Sequence, residues 1–457
     1  MAYQTHNPFT EQTVQKFDAH TDHEVEAFLA RADALYRSSW SKGERAPRLA
    51  VLEKLAALLT QNREPLARTM ALEMGKPISQ GQMEVDLCAW IAQYYARNAD
   101  QFLAPEKADS DVGEGWVEFH PIGVLLAVEP WNFPIYQLIR VIAPAIAVGN
   151  PVLFKHSSIV PQCAALFADL VGQAGAPDGA VTNLYVSSST VSQLLGDARI
   201  QGVALTGSEG AGSQVGARAS EMLKKSTMEL GGSDVFVVLD DADLPKAVQE
   251  AVMARLANAG QVCTGAKRFI VHRAVADAFT DAFVAGMKGV PMDDPLLPGT
   301  LLGPLSSRDA VEGLERQVQE AVAHGAKVLT GGRRPERTGY FYEPTVLAGI
   351  TRDNPAYYQE FFGPVAQLFV VDDDDAVVEL ANDSLFGLGG SIFSADIPRA
   401  RALASRIETG MVFINTATTS RPGLPFGGVK RSGYGRELGE VGIKEFVNRK
   451  LVVVSKG

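Results

Sequence analysis

One cysteine in this sequence stands where it could act as a nucleophile. Cys263 lies in Asn258-Ala-Gly-Gln-Val-Cys-Thr-Gly265, among small residues just before an apparent strand, where a substrate could approach the backbone closely. A cysteine attacks as its thiolate, from a partly exposed and electrostatically favourable site; the alternative is a buried structural thiol. Cys88 and Cys163, on amphipathic helical stretches, take the structural reading. Glu229 opens Glu229-Leu-Gly-Gly-Ser-Asp234, a Gly-Gly turn leading into the apolar strand Val235–Leu239. Such a carboxylate is either a general base whose pKa burial has lifted, or an exposed turn residue. In Glu129-Pro-Trp-Asn-Phe-Pro134, prolines and aromatics fix a rigid corner. From it Asn132 could offer an N–H to a developing oxyanion, or satisfy its own turn.

A further set suits a dinucleotide. Thr206-Gly-Ser-Glu-Gly-Ala-Gly212 follows a strand and opens a helix, which places Gly207 and Ser208 at a positive helix end able to hold a pyrophosphate. One strand earlier, Phe154-Lys-His-Ser-Ser158 ends on a lysine and hydroxyls suited to ribose or phosphate oxygens. Downstream, Gln359-Glu-Phe-Phe-Gly-Pro364 offers Glu360 and Phe362, a carboxylate and an aromatic for a nicotinamide ribose. The seven histidines form no ligand cluster and no metal is implied.

The elements that must position these residues alternate. Residues 1 to about 105 read as helical, with Leu49, Leu52, Leu55, Leu58 and Leu59 at helical spacing. From Gly115 short apolar runs follow: Val124–Val128, Val152–Phe154, Val181–Val186, Gly202–Leu205 and Val235–Leu239 read as strands. Amphipathic stretches such as Gln162–Ala174 and Gly212–Lys224 lie between them, the pattern of a parallel sheet covered by helices. A second alternating series runs from near Lys267 to about Ile414, predicting a second α/β domain. The tail Glu445–Lys456 reads as an edge strand that needs a partner, expected from another subunit.

Composition narrows the function classes. The chain has 457 residues, a formal charge of −11 and three widely spaced cysteines without a CxxC pair. That disfavours a nucleic-acid partner, a disulfide scaffold and a dithiol redox motif. The opening residues carry no basic segment followed by an apolar stretch, and no apolar run approaches the ~20 residues of a membrane span. A cytoplasmic location with no membrane partner is expected.

In this order and at these separations, the segments resemble the aldehyde dehydrogenase superfamily over nearly the full chain. Leu223-Lys-Lys, Glu229-Leu-Gly-Gly-Ser-Asp234 and Gly427-Gly-Val-Lys-Arg-Ser-Gly-Tyr-Gly-Arg-Glu437 look most like the Sad-type succinate-semialdehyde dehydrogenases. The resemblance implies an α/β fold with a Rossmann-like cofactor domain (1–102 and 122–231), an α/β catalytic domain (232–431) and oligomerisation segments (103–121 and 432–457), in which a small hairpin would join a segment around Ala104–His120 to the C-terminal tail. It implies a homodimer or homotetramer that oxidises an aldehyde, succinate semialdehyde foremost, with NAD or NADP. Another aliphatic aldehyde, or a catalytically silent protein on the same scaffold, is the alternative.

Carried over by position, Cys263 is the nucleophile, Glu229 the general base and Asn132 the oxyanion donor. Trp131, Lys155, Ser158, Gly207, Ser208, Leu230, Glu360 and Phe362 are the cofactor contacts. Ser158 stands where NAD-selective members often carry glutamate, so either cofactor is accommodated. Ala257 and Gly423 replace arginines found in related succinate-semialdehyde enzymes, while Arg421 lies two residues before Gly423. Arg140, on the apolar helical segment Tyr136–Ile146, must pair with a carboxylate or face a cavity. The resemblance favours a cavity in which Arg140 and Arg421, beside Phe426, grip a substrate carboxylate by forked hydrogen bonds.

Overall fold

The computed structural model describes residues 3–455; Lys456, at the end of the expected tail strand, lies outside them. A six-stranded sheet carries the first alternating series. Its order is Gly433–Tyr434, Lys225–Glu229, Ile200–Thr206, Val124–Glu129, Val152–His156 and Val181–Asn183. All neighbours are parallel except Gly433–Tyr434, which runs antiparallel to Lys225–Glu229. Helices Pro161–Gln173 and Glu209–Glu221 connect these strands, close to the expected spans.

A seven-stranded sheet carries the second series. It includes Asp234–Val238, which the sequence groups with the first series but which pairs in parallel with Ala266–His272 and Gly390–Phe393. The run Val235–Val238 is apolar and buried on both faces, so it fits either sheet by pattern alone.

The helix Pro134–Val148 links the corner at Asn132 to the core and is buried along its whole length. Proline at its first position suits the fixed φ of a helix start, and Gly149 ends it at φ 101°. No side chain of its own caps it. Glu84 does so from the helix Ile78–Phe102, accepting N–H bonds from Ile135 (2.9 Å) and Tyr136 (3.0 Å) while its other oxygen meets the buried Lys76 ammonium. Truncating a core side chain here, Leu138→Ala for one, is expected to cost about 2–5 kcal/mol.

Two expectations are corrected. The N-terminal region is not helical from its start: Tyr3–Asn7 and Gln12–Phe17 form an antiparallel hairpin before the first helix, Asp22–Arg37. The second of these strands is mostly exposed and largely polar, so it has no apolar alternation to betray it. The tail strand Val447–Ser455 finds its partner within the chain, pairing antiparallel with Gly113–Pro121 over nine residues; Glu106–Ala108 completes a three-stranded sheet. Its outer edge stays open, with Leu451 and Val454 exposed. Among the described residues no helix is long and apolar enough to cross a membrane.

Candidate active site

Cys263 sits half-buried at the bottom of a funnel of about 540 Å³, a size that suits a small organic substrate. The turn before it is unusual. Asn258 (φ 50°), Ala259 (φ 53°) and Gly260 (φ 76°) are consecutively left-handed, a conformation that stores strain. The Asn258 side chain holds this turn to the Asn132 corner, donating to the Asn132 carbonyl at 2.8 Å and the Gln261 carbonyl at 3.3 Å. The Asn132 amide donates to the same Gln261 carbonyl at 3.1 Å. Cys263 and Asn132, far apart in the chain, are thus bound into one unit.

On the other side Lys267, four residues after the cysteine, donates to the carbonyls of Val262 (2.8 Å) and Cys263 (2.7 Å). It also lies 3.0 Å from Glu360. Burial pushes the Cys263 thiol up to about 11, against the pull of Arg140 and Lys267. Cys88 and Cys163 are fully buried and burial pushes both thiols well above their ordinary value, as structural cysteines require.

Glu229 ends a strand of the first sheet and is buried. Neither of its carboxylate oxygens has a hydrogen-bond partner among the described residues. Desolvation, reinforced by Glu437, pushes its carboxyl well above the ordinary range, with Arg140 opposing. A methyl group added to Gly427 would lie 2.6 Å from Glu229 Oε1, so glycine there leaves room for the carboxylate.

The cofactor candidates line up along the carboxyl ends of the first sheet. Lys155 ends one strand, and Gly207 and Ser208 follow the next. Ser208 caps the helix Glu209–Glu221 by accepting the Ala211 N–H, so that helix's positive end faces the turn. Across from it Glu360 accepts the Gly232 N–H at 3.1 Å. A methyl group on Gly231 would come within 2.4 Å of Glu360 Oε2. Phe362 packs edge-on to Trp131, with ring centres 5.7 Å apart. Leu230 is buried, its N–H bound to the Ser432 carbonyl. The Ser158 carbonyl accepts the Gln4 N–H from the N-terminal hairpin. A turn at a positive helix end, a lysine beside hydroxyls and a carboxylate together fit the phosphates and riboses of an extended dinucleotide.

Arg140 departs from expectation. It does not line the funnel. Its Nε lies 2.7 Å from Glu437, its Nη2 donates to Gln137 Oε1 and to Thr206 Oγ1, and Tyr136 and Phe426 sandwich its charge with their rings. A buried guanidinium must be neutralised, and Glu437 does so. Nε meets Glu437 as an ion pair without a hydrogen bond, and neither Nε nor Nη1 has a hydrogen-bond partner among the described residues. Arg421 does line the funnel, is exposed, and among the described residues donates to neutral acceptors alone, Thr419 Oγ1 and the Ser420 carbonyl. Phe426 is buried in the wall, tied by two backbone bonds to Glu437. The funnel's carboxylates are already engaged, Asp86 by Arg63 and Glu84 by Lys76. Lys267 and Gln137 lie outside the quoted motifs, Lys267 just after the nucleophile segment; Asn258 opens one of those motifs and Glu437 closes another, but nothing in the motifs singles them out.

The comparisons decide the family. The model of the aldehyde dehydrogenase family matches residues 1–452. The chain belongs to the aldehyde dehydrogenase family. It is 45% identical to a protein of Deinococcus radiodurans named succinate-semialdehyde dehydrogenase [NADP(+)], covering 98% of this chain and 94% of that one. It is 44% identical to succinate-semialdehyde dehydrogenase [NADP(+)] 1 of Mycobacterium tuberculosis over the full length of both. The crystal structure of succinic semialdehyde dehydrogenase from Streptococcus pyogenes in complex with NADP+ superposes with a TM-score of 0.98 at 46% identity, covering 100% of each chain. The α/β architecture is therefore that of an aldehyde dehydrogenase.

Proposed function

We propose that this aldehyde dehydrogenase oxidises succinate semialdehyde to succinate with NADP+, through a thioester on Cys263. Arg421, a cation without a carboxylate partner among the described residues at the funnel that Cys263 also lines, carries the choice of an aldehyde bearing a remote carboxylate. The names of full-length relatives support the same substrate and cofactor. Lys155 and Ser158 would hold the adenosine ribose and its phosphate, Gly207 and Ser208 the pyrophosphate, and Glu360 and Phe362 the second ribose. Leu230 and Trp131 would complete that groove.

The Cys263 thiolate attacks the aldehyde carbon, and the oxyanion is received by the Asn132 amide and the Cys263 backbone N–H. Each such donor contributes about 3 kcal/mol to lowering the barrier. NADP+ held by these residues would supply the hydride acceptor that collapse of the Cys263 adduct to a thioester requires. Glu229 takes a proton from water, which adds to the Cys263 thioester carbonyl; the C–S bond breaks, succinate leaves and the thiol is restored. In this reading the cofactor-binding unit is 1–102 and 122–231, the catalytic unit 232–431. The open edge of Val447–Ser455 and its exposed leucine and valines support a homodimer or homotetramer built on segments 103–121 and 432–457.

The test is an absorbance screen of succinate semialdehyde, butanal and benzaldehyde with both cofactors. Succinate semialdehyde with NADP+ is expected to exceed butanal by about tenfold or more in kcat/KM. A preference for butanal would overturn the substrate reading.

A further inference from the structure

Asn132 can serve an oxyanion only if the nitrogen end of its amide, and not the oxygen, faces the reacting carbonyl. The two ends are nearly the same size, so shape does not decide between them; the hydrogen-bond network does. That network can be followed from one unambiguous group. Arg140 has donors and no acceptor. The Gln137 atom that meets Arg140 Nη2 is therefore Oε1, which turns Gln137 Nε2 toward Asn132. Nε2 is donor-only, so the Asn132 atom it meets, at 3.2 Å, is Oδ1. Asn132 Nδ2 is left on the Cys263 side. One of its hydrogens goes to the Gln261 carbonyl at 3.1 Å, and no acceptor among the described residues takes the other.

We propose that Gln137 and Arg140 are positioning residues that lock the Asn132 amide with its N–H toward the substrate oxygen. Glu437 keeps Arg140 charged and in place, and the Asn258 side chain fixes the backbone from which Asn132 projects. A reversed amide would set Oδ1 against the Gln261 carbonyl and against the developing oxyanion, repelling both. The inference rests on the reading of Asn132 as the oxyanion donor.

Gln137→Glu tests it. Beside Arg140 the new carboxylate is ionised and can only accept, so it draws the Asn132 N–H toward itself and turns Oδ1 to the substrate. The expected result is a roughly hundredfold fall in kcat, the size of losing one oxyanion donor. KM for succinate semialdehyde and NADP+ binding are expected to stay within about threefold of wild type. Because both changes remove one donor, Asn132→Ala/Gln137→Glu is expected to be no more than about threefold slower than Asn132→Ala alone. Gln137→Met, which keeps shape but cannot orient the amide, is expected to lose kcat several-fold with KM unchanged, and serves if the glutamate variant does not fold. Iodoacetamide labelling of Cys263 reports that the site is intact in each variant.

A Gln137→Glu enzyme with kcat within about threefold of wild type, or losses that multiply in the double variant, overturns the lock. If Gln137→Met alone is available, unchanged kcat overturns it. If Asn132→Ala itself keeps wild-type kcat, the oxyanion reading falls and takes the lock with it.

Discussion

Arg140 Nε lies 2.7 Å from Glu437 Oε2 beneath the floor of the funnel, both residues almost fully buried. Each charge is tolerable there because of the other. Arg140→Leu strands a buried carboxylate and Glu437→Leu strands a buried guanidinium; each is expected to cost about 3–5 kcal/mol in urea unfolding. The double leucine variant is expected to recover most of that loss. Single variants as stable as wild type would mean that the pair contributes no mutual neutralisation.

Burial holds the Cys263 thiol near 11, so in the cofactor-free enzyme the thiolate is scarce at neutral pH. Alkylation by iodoacetamide is expected to quicken about tenfold per pH unit between pH 7 and 10, because the thiolate is the reacting form. Lys267→Met removes a positive charge that lowers this pKa, and is expected to slow alkylation at pH 8. Cys88 and Cys163 are expected to stay unlabelled in the folded protein. Mass spectrometry of the labelled peptides checks each point; a profile already flat at pH 8 would contradict the desolvated thiol.

Much of this site was legible before any coordinates. The segments around Asn132, Glu229 and Cys263 announce themselves because each couples a reactive group to glycines or prolines that restrict the local chain. Four of the six strands of the first sheet were readable because apolar runs end in turn residues; Lys225–Glu229, which carries Glu229, has no apolar run, and Gly433–Tyr434 is too short to show one. What could not be read are relations between distant segments. Nothing near Arg140 names Glu437 as its partner, and an apolar helix with one arginine suits a cavity as well as an ion pair. The N-terminal hairpin was hidden by its polar second strand, and the tail's partner by the fact that edge chemistry looks the same within a chain as between chains.

In the proposed function Ser158 stands at the adenosine ribose, and the choice of cofactor is expected to depend on it. Ser158→Glu sets a carboxylate beside Lys155 at the ribose position, where it should repel a 2′-phosphate and accept a free diol. The ratio of kcat/KM for NADP+ over NAD+ is expected to fall at least about tenfold. An unchanged ratio would place Ser158 away from the ribose.

In the proposed function Arg421 is the residue that recognises the substrate carboxylate. Arg421→Gln is expected to raise KM for succinate semialdehyde about tenfold, while butanal, with the same carbon count and no carboxylate, stays within about twofold. Equal losses on both aldehydes would reduce Arg421 to a loop-stabilising role.

The covalent account meets its most direct measurement in Glu229→Gln. Without a base to activate water, the thioester should form and persist. Mixed with succinate semialdehyde and NADP+, this variant is expected to release a burst of reduced cofactor approaching one per site and then turn over slowly. Intact-mass analysis should find a succinyl group on the protein, mapped by peptide digestion to Cys263. Unchanged steady-state turnover with no acyl group on Cys263 would contradict the account.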